Sequence, residues 1–120
     1  MIYSKNSNMP ATRQKIQDLD ALEVKSKQLN EEGKRIVLCH GNFDLIHTGH
    51  IRHLQEAKRQ GDILFVTITA DKYVNKGPSR PVFSEILRAE NLSALSCVDY
   101  VGIVASESAE EPISPIVPLM

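Results

Sequence analysis

Two short segments, Arg35-Ile-Val-Leu-Cys-His40 and Ile63-Leu-Phe-Val-Thr-Ile-Thr69, are rich in β-branched residues and apolar at consecutive positions. A strand with one wet face alternates apolar and polar residues, so runs of this kind suit strands covered on both sides. Between them, Thr48 to Gln60 sets Ile51, Leu54 and Ala57 along one side of a helix that Gly61 closes. Two such strands joined through a helix run parallel, with a right-handed crossover. A further helix is expected from its cap Ser84 to near Ser96, with Ile86, Leu87, Leu92 and Leu95 as its inner face. Tyr100–Val104 reads as a third strand. Upstream, Asp18 as N-cap and Gly33 as a stop bracket a leading helix over 18–32, with Leu19, Leu22 and Leu29 roughly on one face. The fold class that satisfies this order is a Rossmann-like three-layer α/β/α sandwich with a parallel sheet.

A chain of 120 residues has room for one domain with a modest core. Residues 1–13 carry no apolar period and read as a mobile leader, 14–104 as the domain, and 105–120 as an apolar tail. In that tail Pro112, Pro115 and Pro118 exclude a regular helix, while Ile113, Ile116, Val117 and Leu119 make it a packing segment or a cover for an exposed sheet edge. The net charge of -1 does not supply the cationic field that nucleic acid or an anionic membrane surface would need. Neither a membrane span nor the apolar core of a signal peptide is visible. Cys39 and Cys97 sit in apolar runs, which favours buried reduced thiols and a cytoplasmic address.

The chemistry concentrates between Cys39 and His53, where a strand gives way to a helix. In open α/β sheets ligands lie beyond the carboxyl ends of the strands, and a helix N-terminus offers unpaired N–H groups and a positive dipole end. Gly41 and Gly49 keep Cβ atoms away from places where a phosphate would approach the backbone. His47 and His50 lie three residues apart across the helix start, so both rings can face one phosphate and stabilise charge building on a five-coordinate phosphorus. Asp44 is suited to holding the turn through backbone N–H groups, or to orienting a substrate or metal-bound water.

His47-Thr-Gly-His50, preceded by Gly41-Asn-Phe-Asp44, resembles the H-x-G-H signature of the cytidylyltransferase-like nucleotidyltransferases. The likeness continues in order through Gln55–Asp62, Asp71–Gly77, Arg80–Phe83, Leu87–Glu90 and Val98–Val101, and spans roughly residues 14–104. It runs nearest to the adenylyltransferase domain of the ADP-heptose synthases. The resemblance implies that His47 and His50 are catalytic, and that Gly41, Asn42, Phe43, Asp44 and Gly49 join them around the nucleotide. It implies that Lys76 and Arg88 bind phosphate, that Mg²⁺ accompanies the triphosphate, and that no metal is held by the protein alone. The activity implied is transfer of a nucleotidyl group, adenylyl from ATP, to a sugar phosphate such as a heptose 1-phosphate, with release of pyrophosphate. A CTP-dependent transferase acting on a polyol or alcohol phosphate and a catalytically idle nucleotide-binding or dimerising remnant are the alternatives. A homodimer is expected. Members of the family continue with another strand or two and a Ser/Thr-rich turn opening a late helix, so a domain truncated at its C-terminal side is expected.

Taken without the resemblance, several of these residues have plainer readings. Four histidines between His40 and His53 invite a zinc site, but no Cys, Asp or Glu completes a tetrahedron at usual spacing. His40 reads as a strand-end residue, His53 as helix surface, and Cys39 as a small buried side chain. Lys58 and Arg59 read as a wet helix end, and Asp62 as a cap.

Overall fold

The computed structural model describes residues 11–73, 83–104 and 117–118. Strands β1 (Ile36–Gly41), β2 (Ile63–Thr69), β3 (Tyr100–Val104) and β4 (Val117–Pro118) form one sheet in the order β3-β2-β1-β4. Every pairing is parallel, with Ile36 opposite Ile63 and Phe65 opposite Tyr100. Helices α1 (Leu19–Glu31), α2 (Thr48–Arg59) and α3 (Glu85–Ser93) cover it.

The alternation of side chains along each strand sorts the core into two layers. Val37, Cys39, Leu64, Val66, Ile68 and Val101 face α2 and α3, meeting Leu54, Ala57, Ala89 and Leu92. Ile36, Leu38 and Phe65 face the other way and meet Leu22 of α1. The three layers expected from the consecutive apolar runs are present, and each fully buried aliphatic side chain contributes about 1.5–3 kcal/mol.

Helix boundaries follow local chemistry. Asp18 Oδ1 accepts from the N–H of Ala21 at 2.7 Å, and Gly33 leaves α1 with φ +83°, a conformation open to glycine. Ser84 Oγ accepts from the N–H of Leu87 at 3.3 Å and so begins α3. Asp62, read as a cap, accepts from the N–H of Arg35 through Oδ2 at 2.8 Å and so ties the start of β2 to the approach to β1. Gly61 lies against the same place: a Cβ there would stand 2.8 Å from the Arg35 carbonyl oxygen.

Four expectations need correction. The inner face of α3 is Arg88, Ala89, Leu92 and Ser93, whereas Ile86 and Leu87 are half exposed, because the helical phase set at Ser84 turns them outward. That helix ends at Ser93, so Cys97 lies in the following turn. Residues 1–10 of the leader lie outside the described residues, but Ala11–Lys15 forms a 3₁₀ turn, with Lys15 Nζ donating to the Leu95 carbonyl at 3.1 Å. Lys58 is more than a wet helix end: its Nζ donates to Asp99 Oδ2 at 2.6 Å, and the same carboxylate oxygen accepts from the Leu64 N–H at 2.7 Å, pinning α2 to β2. Of the tail, Val117 and Pro118 pair in parallel with Val37 and Leu38 along the edge of β1, and its remaining residues lie outside the described residues.

Candidate active site

The site is built where β1 ends and α2 begins. His47 is the N-cap of α2, with extended backbone, and its Nδ1 accepts from the N–H of Gly49 at 3.0 Å. His50, one turn on, accepts from the N–H of His47 through its own Nδ1 at 3.3 Å. The pair is a reciprocal capping box in which imidazoles replace the usual hydroxyl and carboxylate. The two rings stack with centroids 3.9 Å apart and planes 28° from parallel.

These bonds assign the tautomers. An Nδ1 that accepts carries no proton, so each neutral ring carries its proton on Nε2 and presents that atom as a donor. Gly49 permits the arrangement, since a Cβ there would stand 2.8 Å from Cε1 of His47. The sequence pattern assigned Gly49 to phosphate clearance; the structure adds that its missing side chain makes room for the neighbouring ring.

The turn before the helix is held from α3. Phe43 is buried with φ 52°, a left-handed backbone that is uncommon for a side chain of this size. Its ring lies over Gly41, where a Cβ would stand 3.0 Å from Cε2, and meets His50 edge-on at 5.4 Å. Asp44 is buried, and its Oδ1 accepts from the N–H of Phe83 at 2.9 Å, which is the turn-holding role open to it from sequence. Asn42 contributes its carbonyl, which accepts from Arg88 Nη1 at 2.9 Å.

Arg88 stands differently from expectation. The resemblance implied a phosphate ligand, but the side chain has no exposed surface. Nε donates to the Phe83 carbonyl at 3.0 Å and Nη2 to Asp71 Oδ1 at 2.8 Å, beside the Asn42 bond. A desolvated guanidinium must be matched by acceptors, and these three are protein groups. Asp71 is anchored in turn by its N–H, which donates to Glu85 Oε1 at 2.9 Å. Asp71, Phe83 and Glu85 went unsingled in sequence. Their signal was their place in or beside the motif blocks Asp71–Gly77, Arg80–Phe83 and Leu87–Glu90. Lys76 lies outside the described residues.

His40 stands on the opposite face of β1 from Cys39. Its Nδ1 is 2.8 Å from Thr67 Oγ1 and its Nε2 is 3.4 Å from Thr69 Oγ1, and burial pushes its pKa below the usual imidazole range. Cys39 is fully buried, and burial pushes its thiol up to about 11, so it is no nucleophile. His53 is exposed on α2. Among the described residues no three His, Cys, Asp or Glu side chains converge to hold a metal ion. Among the same residues no helix is long and apolar enough to cross a membrane.

Comparison with known proteins decides the family. The family model described as cytidylyltransferase-like matches residues 38–114, well over half of the chain. The chain belongs to the cytidylyltransferase-like family. Among its relatives, the bifunctional protein HldE of a Nitratiruptor species is 38% identical over 118 residues, covering 97% of this chain and 26% of that protein. HldE of Syntrophotalea carbinolica is 43% identical over 101 residues, covering 82% and 20% respectively. The crystal structure of a lipopolysaccharide core biosynthesis protein from Thermoplasma volcanium superposes with a TM-score of 0.57 at 35% identity, covering 65% of this chain and 63% of that one. This cytidylyltransferase-like chain thus spans about a quarter or less of the length of the HldE proteins it matches. What it shares with them is a nucleotidyltransferase-like domain with a Rossmann-like fold.

Proposed function

We propose that this domain binds a nucleoside triphosphate, ATP, and transfers its adenylyl group to a sugar phosphate such as a heptose 1-phosphate, releasing pyrophosphate. The observation that carries the reading is the histidine capping box at the start of α2. With both Nδ1 atoms engaged inward, His47 and His50 offer Nε2–H donors at a helix N-terminus, where backbone N–H groups and the dipole also favour an anion. An oxygen of the acceptor phosphate attacks the α-phosphorus in line. The bond from that phosphorus to the oxygen bridging it to the β-phosphorus breaks, and pyrophosphate leaves. The two imidazoles stabilise the charge on the non-bridging oxygens without exchanging a proton, which is electrostatic catalysis by donors already in place.

Gly41, Asn42, Phe43 and Asp44 shape the turn under the triphosphate, and Lys76 would neutralise phosphate charge. Asp44 and Asp71 each have a carboxylate oxygen bonded to protein. Their chemistry fits a Mg²⁺ ion that arrives on the triphosphate, held by phosphate oxygens and water, better than one caged by the chain. When bound, Mg²⁺ would screen the mutual repulsion of the two anionic reactants. The choice of ATP and of a heptose phosphate rests on the resemblance to the adenylyltransferase domain of the ADP-heptose synthases.

Calorimetric titration of the folded chain with ATP and with CTP, each with Mg²⁺, tests the reading, followed by a pyrophosphate-release assay with heptose 1-phosphate. ATP is expected to bind and to turn over. Preference for CTP would replace the adenylyl assignment, binding without turnover would leave a nucleotide-binding domain, and binding of neither would end the proposal.

A further inference from the structure

We infer that Arg88 is a positioning residue for the histidine pair, acting through the turn that carries Phe43. The inference deepens the nucleotidyl-transfer reading and rests on it for the role of the histidines.

The three acceptors of Arg88 come from separate parts of the chain: Asn42 after β1, Asp71 after β2, and Phe83 before α3. Phe83 is gripped at both backbone polar atoms, its carbonyl by Arg88 and its N–H by Asp44. The residues on either side of Phe43 are therefore tied to one point at the entry to α3. A left-handed backbone at a bulky residue is strained and persists where its surroundings over-determine it. Here they do, from both flanks. Phe43 in turn sets its ring edge against His50, and His50 caps and stacks on His47. A continuous run of contacts leads from a buried cation to the two Nε2 donors. The planar fork of arginine reaches three acceptors in different directions, which a lysine ammonium on a single stem does not reproduce.

The competing role, a direct phosphate ligand, would require Arg88 to leave three bonds and come out of a fully enclosed position. Nitrogen-detected imidazole spectra of the chain without ligand separate the two roles, because they report the protonated nitrogen of each ring. In the native chain both rings are expected as single Nε2–H forms. In Arg88→Lys, shown to be folded by cooperative thermal unfolding, the resonances of His47 and His50 are expected to move toward mixed tautomers. Unmoved resonances would overturn the inference, and unmoved resonances with ATP binding weakened about tenfold would make Arg88 a phosphate ligand. If Arg88→Lys does not fold, Asp71→Asn decides, since the Asp71 side chain is 40% exposed and its loss is easier to accommodate. A shift of the histidine resonances there supports the inference and their constancy rejects it. Failure of ATP to bind the native chain would remove the proposed function while leaving the spectroscopic answer intact.

Discussion

His47 and His50 cap the same helix end through each other: His50 Nδ1 takes the N–H of His47, while His47 Nδ1 takes the N–H of Gly49. In the proposed reaction structure and chemistry share these two side chains, and substitutions can separate them. Asn is among the best N-cap residues and Gln serves at the third helical position of a capping box, but neither presents an imidazole donor. The variant His47→Asn/His50→Gln is expected to keep the native unfolding midpoint in urea while losing pyrophosphate release. His47→Ala is expected to lose activity and also about 1 kcal/mol of stability through the missing cap.

At Gly49 two effects oppose each other. Alanine in a helix is favoured over glycine by about 0.5–1 kcal/mol, but its Cβ would stand 2.8 Å from the His47 ring and push it off its cap. Losing the cap costs about 1 kcal/mol, so Gly49→Ala is expected to leave thermal stability nearly unchanged. Triphosphate affinity, measured by calorimetry, is expected to fall because the ring no longer holds its tautomer and direction. An unchanged affinity would show that the ring moves without consequence.

The interface between α1 and the sheet depends on Gly102. A Cβ there would stand 2.6 Å from Leu22 Cδ1 and 3.1 Å from Leu19 Cδ2. Leu22 is fully buried in the layer between α1 and the sheet, so its side chain must repack or the helix must move. Gly102→Ala is expected to destabilise the chain by about 1–3 kcal/mol, read from urea unfolding. The histidine site on the other side of the sheet is expected to keep its imidazole spectrum.

Half-buried His40 and buried Cys39 each make stability depend on pH. Burial lowers the His40 pKa from 6.5 in the folded chain. Below that value the unfolded chain takes up a proton that the folded one refuses, so stability is present above pH 6.5 and is lost as pH falls. Cys39 is the mirror case, raised from 9.0 to about 11 by burial: the unfolded chain releases its proton first, so stability is lost as pH rises from 9.0 toward 11. Denaturant midpoints measured across each window are expected to fall less steeply in His40→Gln on the acid side and in Cys39→Ala on the alkaline side.

Much of the fold was legible because it depends on patterns local in sequence. Consecutive apolar positions in Ile36–Cys39 and Leu64–Ile68 required two covered faces, and Asp18, Gly33 and Ser84 marked helix ends through bonds reaching only a few residues. The face of α3 was misread because Ile86 and Leu87 are apolar yet sit out of phase with the residues that reach the sheet. The candidate site was legible as residue types at a spacing: His47 and His50 at the start of α2, after a turn that contains Gly41, Asn42 and Asp44. Only the tertiary structure decided what the other charges do. The resemblance gives Arg88 as a phosphate ligand, and its enclosure depends on Asn42 and Asp71, which are distant in the chain and brought to it by the parallel crossovers. A helix cap or an apolar run is set by neighbours along the chain, whereas the environment of a long charged side chain is set by whatever the folded sheet places around it.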